Sequence, residues 1–188
     1  MKIISIFTVC KETLYAVRFD DCEDDEFARV FDQWNDVEYL YDFFQEHIKD
    51  LQSGFYTEEI GNMSIDEVVQ LTLDEAEDLE ERLVYAAGRI KKGDSLQGYF
   101  KPLSNEDYKL TPLQKNKAIG LNRKSWLRVY AIRISATCYV ITGGAIKLTP
   151  TMNDRPHLLK ELRKLEITKN YLKELGILDE DDFELLEL

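Results

Sequence analysis

Trp126-Leu127-Arg128-Val129-Tyr130-Ala131-Ile132-Arg133-Ile134, followed after Ser135-Ala136-Thr137 by Cys138-Tyr139-Val140-Ile141-Thr142 and Gly143-Gly144, is the stretch that decides the fold class. Both runs are rich in β-branched and aromatic residues and are separated by three small polar or small residues, the pattern of an antiparallel hairpin. Gly143-Gly144, directly after the second run and before Ala145-Ile146-Lys147-Leu148-Thr149, marks a bulge or bend that redirects the chain. Arg128, Tyr130 and Ile132 share one face by the two-residue period of a strand. Leu127, Val129, Ala131 and Arg133 take the other. Two arginines therefore emerge on opposite faces, and only one of them can join Lys147.

Working outward, Pro102 and Pro112 confine Phe100 to Leu103 and Lys109 to Ile119 to edge or starting strands or extended loop. Downstream, a helix is expected from Asn153 or Asp154 to Leu175, with Pro156 in its first turn and Gly176 closing it. Asp179 to Leu188 reads as a short acidic helix or frayed tail. At the front, Lys2 to Val9 and Thr13 to Phe19 form a second hairpin around Cys10-Lys11-Glu12. Apolar residues three and four apart, from Phe27 through Trp34 and Tyr41 to Ile48, give a helix broken near Asn35. Gly54 to Asn62 is loop, and Ser64-Ile65-Asp66-Glu67 is a capping box opening a helix to about Ile90, closed by Lys91-Lys92-Gly93. The order predicts an α+β fold: a mainly antiparallel β-sheet with helices packed on one side. It is read as one domain with an acidic hairpin and two helices over 1–93, a basic sheet and helix over 94–175, and an acidic tail over 176–188.

Charge divides the 188-residue chain the same way. Residues 1–100 carry 9 Lys and Arg against 24 Asp and Glu, a charge of −15. Residues 101–173 carry 15 against 5, or +10, and residues 174–188 carry no base and seven acids, which brings the total to −12. The total argues against nucleic acid, whereas the basic segment points to a polyanion-binding surface. Charge runs also mark plain solvated faces. The longest apolar run near the start, Ile3 to Cys10, is far short of the ~20 residues of a membrane helix and has no signal-peptide cleavage pattern. A cytoplasmic chain without membrane contact is expected. Cys10, Cys22 and Cys138 form no CxxC pair, so neither a disulfide nor a zinc site is expected.

Candidate chemistry concentrates in the basic segment. Arginine and lysine near a tyrosine suit RNA, since the cations hold a phosphate and offset transition-state charge while a polar group moves the 2′-hydroxyl proton. Such a reaction needs no metal and no cofactor. His157, the only histidine of this segment, is a candidate acid or base, against the plainer reading of a solvent-facing helix residue. Tyr130 is equally read as a core aromatic. The acidic run Asp20 to Glu26 lacks the glycine and terminal Glu of a calcium loop, and Gly143-Gly144 lacks the Lys-Ser/Thr pair of a nucleotide loop.

Leu127-Arg128-Val129-Tyr130-Ala131-Ile132, then Tyr139 to Thr151 with Gly143-Gly144 and Ile146-Lys147-Leu148-Thr149, then a basic helix, resembles the HigB-like branch of the RelE/ParE toxin superfamily over about residues 109–175. There an arginine-led strand precedes an apolar strand, a glycine-containing turn, an Ile-Lys-Lys-Thr-like segment and a helix; here Leu148 stands in place of the second Lys. The resemblance implies a RelE-like topology with an extended N-terminal helical region. It also implies a bacterial, metal-independent and often ribosome-dependent messenger-RNA endonuclease, the toxin of a type II toxin–antitoxin pair. An antitoxin, of helix-turn-helix type among other kinds, would be its partner. On matching positions Arg128 and Lys147 are the functional cations, with Tyr130 and His157 as further catalytic candidates and Arg123, Lys124, Arg133 and Arg155 as RNA-binding candidates. The alternative is a non-catalytic interaction module of toxin-like fold, whose basic surface binds an acidic partner or the chain's own acidic segments. Arg128, Lys147 and His157 in one open cleft would favour the enzyme, and burial of the cations against Asp179 to Glu187 the module.

Overall fold

The computed structural model describes residues 1–89, 95–103, 111–120, 124–177 and 180–184. Two hairpins supply four of its strands: β1 (Ile3–Cys10) with β2 (Leu14–Phe19), and β5 (Leu127–Arg133) with β6 (Tyr139–Ile146). β3 (Phe100–Pro102) and β4 (Gln114–Ile119) extend the second hairpin, giving a six-stranded sheet of order β1-β2-β6-β5-β4-β3. All neighbours are antiparallel except β2 and β6, which run parallel and pair only over Leu14–Ala16 with Tyr139–Ile141. The acidic front and the basic segment thus share one sheet. The fold is α+β with a mainly antiparallel sheet, as the hairpin patterns predict.

α1 (Glu26–Trp34) and α2 (Val37–Glu46) start at Asp25 and Asp36, each of whose side chains accepts two backbone N–H groups of the following turn. Asn35 caps the first and Asp36 opens the second, which is the expected break. Short turns α3 (Ile48–Leu51) and α4 (Thr57–Ile60) follow, the latter inside the stretch expected to be loop. α5 (Ile65–Arg89) opens on the capping box: the Ser64 amide and hydroxyl both donate to the Glu67 carboxylate, and the Glu67 amide lies 3.3 Å from the serine hydroxyl oxygen that accepts it. The expected glycine end at Gly93 lies outside the described residues. α6 (Pro156–Glu174) places Pro156 in its first turn, and α7 (Glu180–Glu184) ends the described chain.

The helices cover both faces of the sheet, which corrects the expected single layer. Leu14, Ala16, Leu127, Val129, Ala131, Tyr139 and Ile141 pack with residues of α1, α2 and α5. On the opposite face Tyr15, Val17, Phe19, Tyr130, Ile132 and Val140 pack with Leu158, Leu165 and Leu172 of α6 and with Phe183 of α7. The reason is in the strands: β2, β5 and β6 carry large apolar residues at both parities, so each face demands cover. β6 also does not stop at Thr142. It continues through both glycines, with a register shift opposite Tyr130 and Ala131 absorbing the irregularity. Among the described residues no helix is long and apolar enough to cross a membrane.

Candidate anion-binding site

Arg128 and Lys147 meet at the end of the sheet where β6 runs out. The Arg128 guanidinium, half-buried, donates to the carbonyls of Ser125 (2.7 Å) and Leu127 (2.8 Å). Tyr56, fully buried, has its single O–H within reach of both that same Ser125 carbonyl (3.1 Å) and the Lys147 carbonyl (2.9 Å), which share it. One phenol thereby ties the two stretches together. The Lys147 ammonium turns onto the carbonyls of Thr149 (2.5 Å) and Pro150 (2.7 Å).

A third cation, which the sequence reading passed over, completes the group. Lys117 of β4 lies opposite Tyr130, two residues before Ile119, the partner of Arg128. It donates to the Leu103 carbonyl at 3.0 Å. Burial lowers the Lys117 pKa, and repulsion from Arg128 and Lys101 lowers it further. Lys147 is pushed down to about 8, first by burial and then by Arg128 and Lys117, against a weaker pull from Asp154. Among the described residues no carboxylate lies within ion-pair distance of Lys117, Arg128 or Lys147. Lys124 borders the group: its ammonium lies 3.9 Å from the centre of the Phe55 ring, donates to the Phe55 carbonyl and stands 4.9 Å from the Tyr56 ring. Lys147 lies 5.7 Å from the Phe55 ring.

Of the other candidates, Tyr130 and His157 border the group, and Arg133 and Arg155 are held elsewhere. Tyr130 shares the face of Arg128 but is fully buried, and burial raises its pKa. Its hydroxyl has no hydrogen-bond partner among the described residues. His157 sits half-buried with Nε2 3.1 Å from the Ile146 carbonyl, its ring 5.1 Å from that of His47 and 5.4 Å from Phe43. Burial lowers its pKa. Arg155 is engaged by Asp50 through two hydrogen bonds, one of them 2.6 Å long, which holds that carboxyl below its ordinary pKa. Arg133 ends the opposite tip of β5, paired with Tyr139 and Gln114 on the α5 side of the sheet. Arg123 lies outside the described residues. The acidic end segment does not cover the cations where it is described: Phe183 of α7 packs edge-on against Tyr15, at the β2 side.

A second charged group was also missed. Lys164 of α6, 2% exposed, bridges Glu26 of α1 (2.8 Å) and Glu161 (2.9 Å), and Arg29 holds Glu26 from the other side at 2.6 Å. The contact between the two helical layers passes the sheet beyond the last β2–β6 pair, where Gly143 leaves room; a Cβ there would overlap the Glu161 carboxylate. Burial pushes Glu161 up to about 7, against the pull of Lys164. The available signal was spacing: Glu161 falls on the same three-and-four stripe as Leu158, Leu165, Thr168 and Leu172.

Among the described residues no three His, Cys, Asp or Glu side chains are grouped to hold a metal ion, and all three cysteines are free thiols. No known protein family matches the chain, and no similarity to a curated protein or a solved structure is found.

Proposed function

We propose that this protein binds RNA through the corner formed by Lys117, Arg128 and Lys147, in the manner of a toxin-like RNA-directed protein. The supporting observation is a single one: three half-buried cations converge there with no carboxylate partner among the described residues. Like charges gathered in a partly desolvated place are costly to hold, and an arriving phosphate relieves the cost. Phe55, beside Lys124 and Lys147, supplies the aromatic surface that single-stranded nucleic acid uses together with backbone cations. That favours RNA over an acidic protein segment.

The basicity of Lys147 supports a second reading, cleavage. A lysine titrating at about 8 is partly neutral near physiological pH and can accept a proton. In that step the 2′-hydroxyl proton passes to the Lys147 amine, the 2′-oxygen bonds to phosphorus and the bond to the 5′-oxygen breaks. That oxygen takes a proton from solvent, leaving a 2′,3′-cyclic phosphate and a 5′-hydroxyl. Tyr130 and His157 take no part: the first is sealed in the core and the second is engaged with the Ile146 carbonyl and the His47 ring.

The test is titration of a labelled single-stranded RNA at several salt concentrations, with the Arg128→Ala/Lys147→Ala double variant alongside. Binding by the parent chain is expected, with the dependence of log affinity on log salt becoming shallower by about 1 for each cation removed. Equal binding by both proteins, or none by the parent, overturns the proposal. Growth arrest and new messenger-RNA ends on induction of the parent but not the variant in a bacterial host would add cleavage; intact messages would remove it.

A further inference from the structure

The hydrogen-bonding capacity left at the corner is specific about the kind of phosphate it takes. Lysine has three N–H donors and arginine five. Lys147 spends two on the Thr149 and Pro150 carbonyls, Lys117 one on the Leu103 carbonyl, and Arg128 two on Ser125 and Leu127. Among the described residues that leaves one donor on Lys147, two on Lys117 and three on Arg128. Backbone carbonyls hold each cation, and its remaining donors have no partner among the described residues.

Charge and acceptor count both discriminate. A phosphodiester within a chain carries one negative charge on two non-bridging oxygens and meets only part of this capacity. A terminal phosphomonoester carries between one and two charges on three strong acceptor oxygens. Among the described residues the three cations have no carboxylate within ion-pair distance, and Asp154, the acid that acts on Lys147 from farther off, receives the Thr151 amide. We infer that this corner receives the phosphorylated end of an RNA chain, a phosphomonoester, in preference to the phosphodiesters along it. The inference rests on the RNA-binding reading above and narrows it to a class of ligand.

The experiment uses the full chain and one single-stranded RNA made in three forms: 5′-phosphorylated, 3′-phosphorylated and hydroxyl at both ends, labelled internally and compared by fluorescence anisotropy. One phosphorylated form is expected to bind about tenfold more tightly than the hydroxyl form, which corresponds to about 1.4 kcal/mol. Which form it is identifies the end. Lys117→Gln is expected to remove that preference while binding of the hydroxyl form changes less. Inorganic phosphate, in excess, is expected to reduce the preference of the unaltered protein, a readout that requires no variant to fold. Equal affinity for all three forms overturns the inference and leaves the RNA-binding reading standing. Absence of binding to any form overturns both.

Discussion

Glu161 shows what burial does to a single carboxyl group. It is nearly enclosed, one oxygen on Lys164 and the other without a partner among the described residues. The groups facing it are Glu26 and Arg29 from α1, Tyr39 from α2, Lys164 on its own helix and Tyr130 from β5. Its carboxyl titrates at about 7 in the fold against 4.5 ordinarily, so the folded chain holds the proton more tightly than the unfolded one. The stabilisation from that proton is fully present below pH 4.5 and is lost as pH rises through about 7. Urea midpoints are expected to fall from about pH 5 to about pH 8 by more in the unaltered protein than in Glu161→Gln, whose amide cannot titrate. Parallel profiles would contradict this. At Gly143 the backbone has φ +153° and the Glu161 carboxylate occupies the place of a side chain. Gly143→Ala is expected to cost about 2–4 kcal/mol in urea denaturation, from overlap and backbone strain together.

At the scale of elements, α1 does more than cover the sheet: its first residue is Glu26, the anion that Lys164 reaches. Its position depends on the cap before it, where Asp25 Oδ1 accepts the amides of Phe27 (2.9 Å) and Ala28 (3.2 Å). Asp25→Ala is expected to lower stability by about 1 kcal/mol, and Asp25→Asn by less, because asparagine keeps the accepting oxygen. Equal losses would mean that charge rather than the cap is at work. The capping box at Ser64 was legible in the chain, as was the break at Asn35, because both are local signals, whereas Asp25 stood among several acids and was not singled out as the cap. The turn Thr57–Ile60 was not, since four residues present too little period to recognise.

On the scale of the whole molecule, Lys164 joins the two helical layers through the sheet, and Arg155 with Asp50 joins them again where α6 begins. Removing one member of a buried ion group strands the others. Lys164→Met is expected to cost about 3–5 kcal/mol, measured by denaturant, with Glu161→Leu/Lys164→Met recovering part of the loss because Glu26 keeps Arg29. Full additivity of the two substitutions would show that the groups act independently.

The sequence by itself determined the hairpins, the long helices, the capping box that opens α5 and the concentration of basic residues in one segment, because periodicity, capping and composition act over a few residues. Even the two-sided cover of the sheet was written in the apolar residues at both parities of β2, β5 and β6, although a one-sided arrangement was the first reading. Tertiary structure alone decided the rest. It set β2 beside β6 across more than a hundred intervening residues, brought Lys117 to Arg128 and Lys147, and turned His157 onto Ile146 and His47. It also carried Glu26 to Lys164, 138 residues away. Strand order and the meeting of layers depend on which faces find each other in space, and no local pattern of residues encodes that pairing.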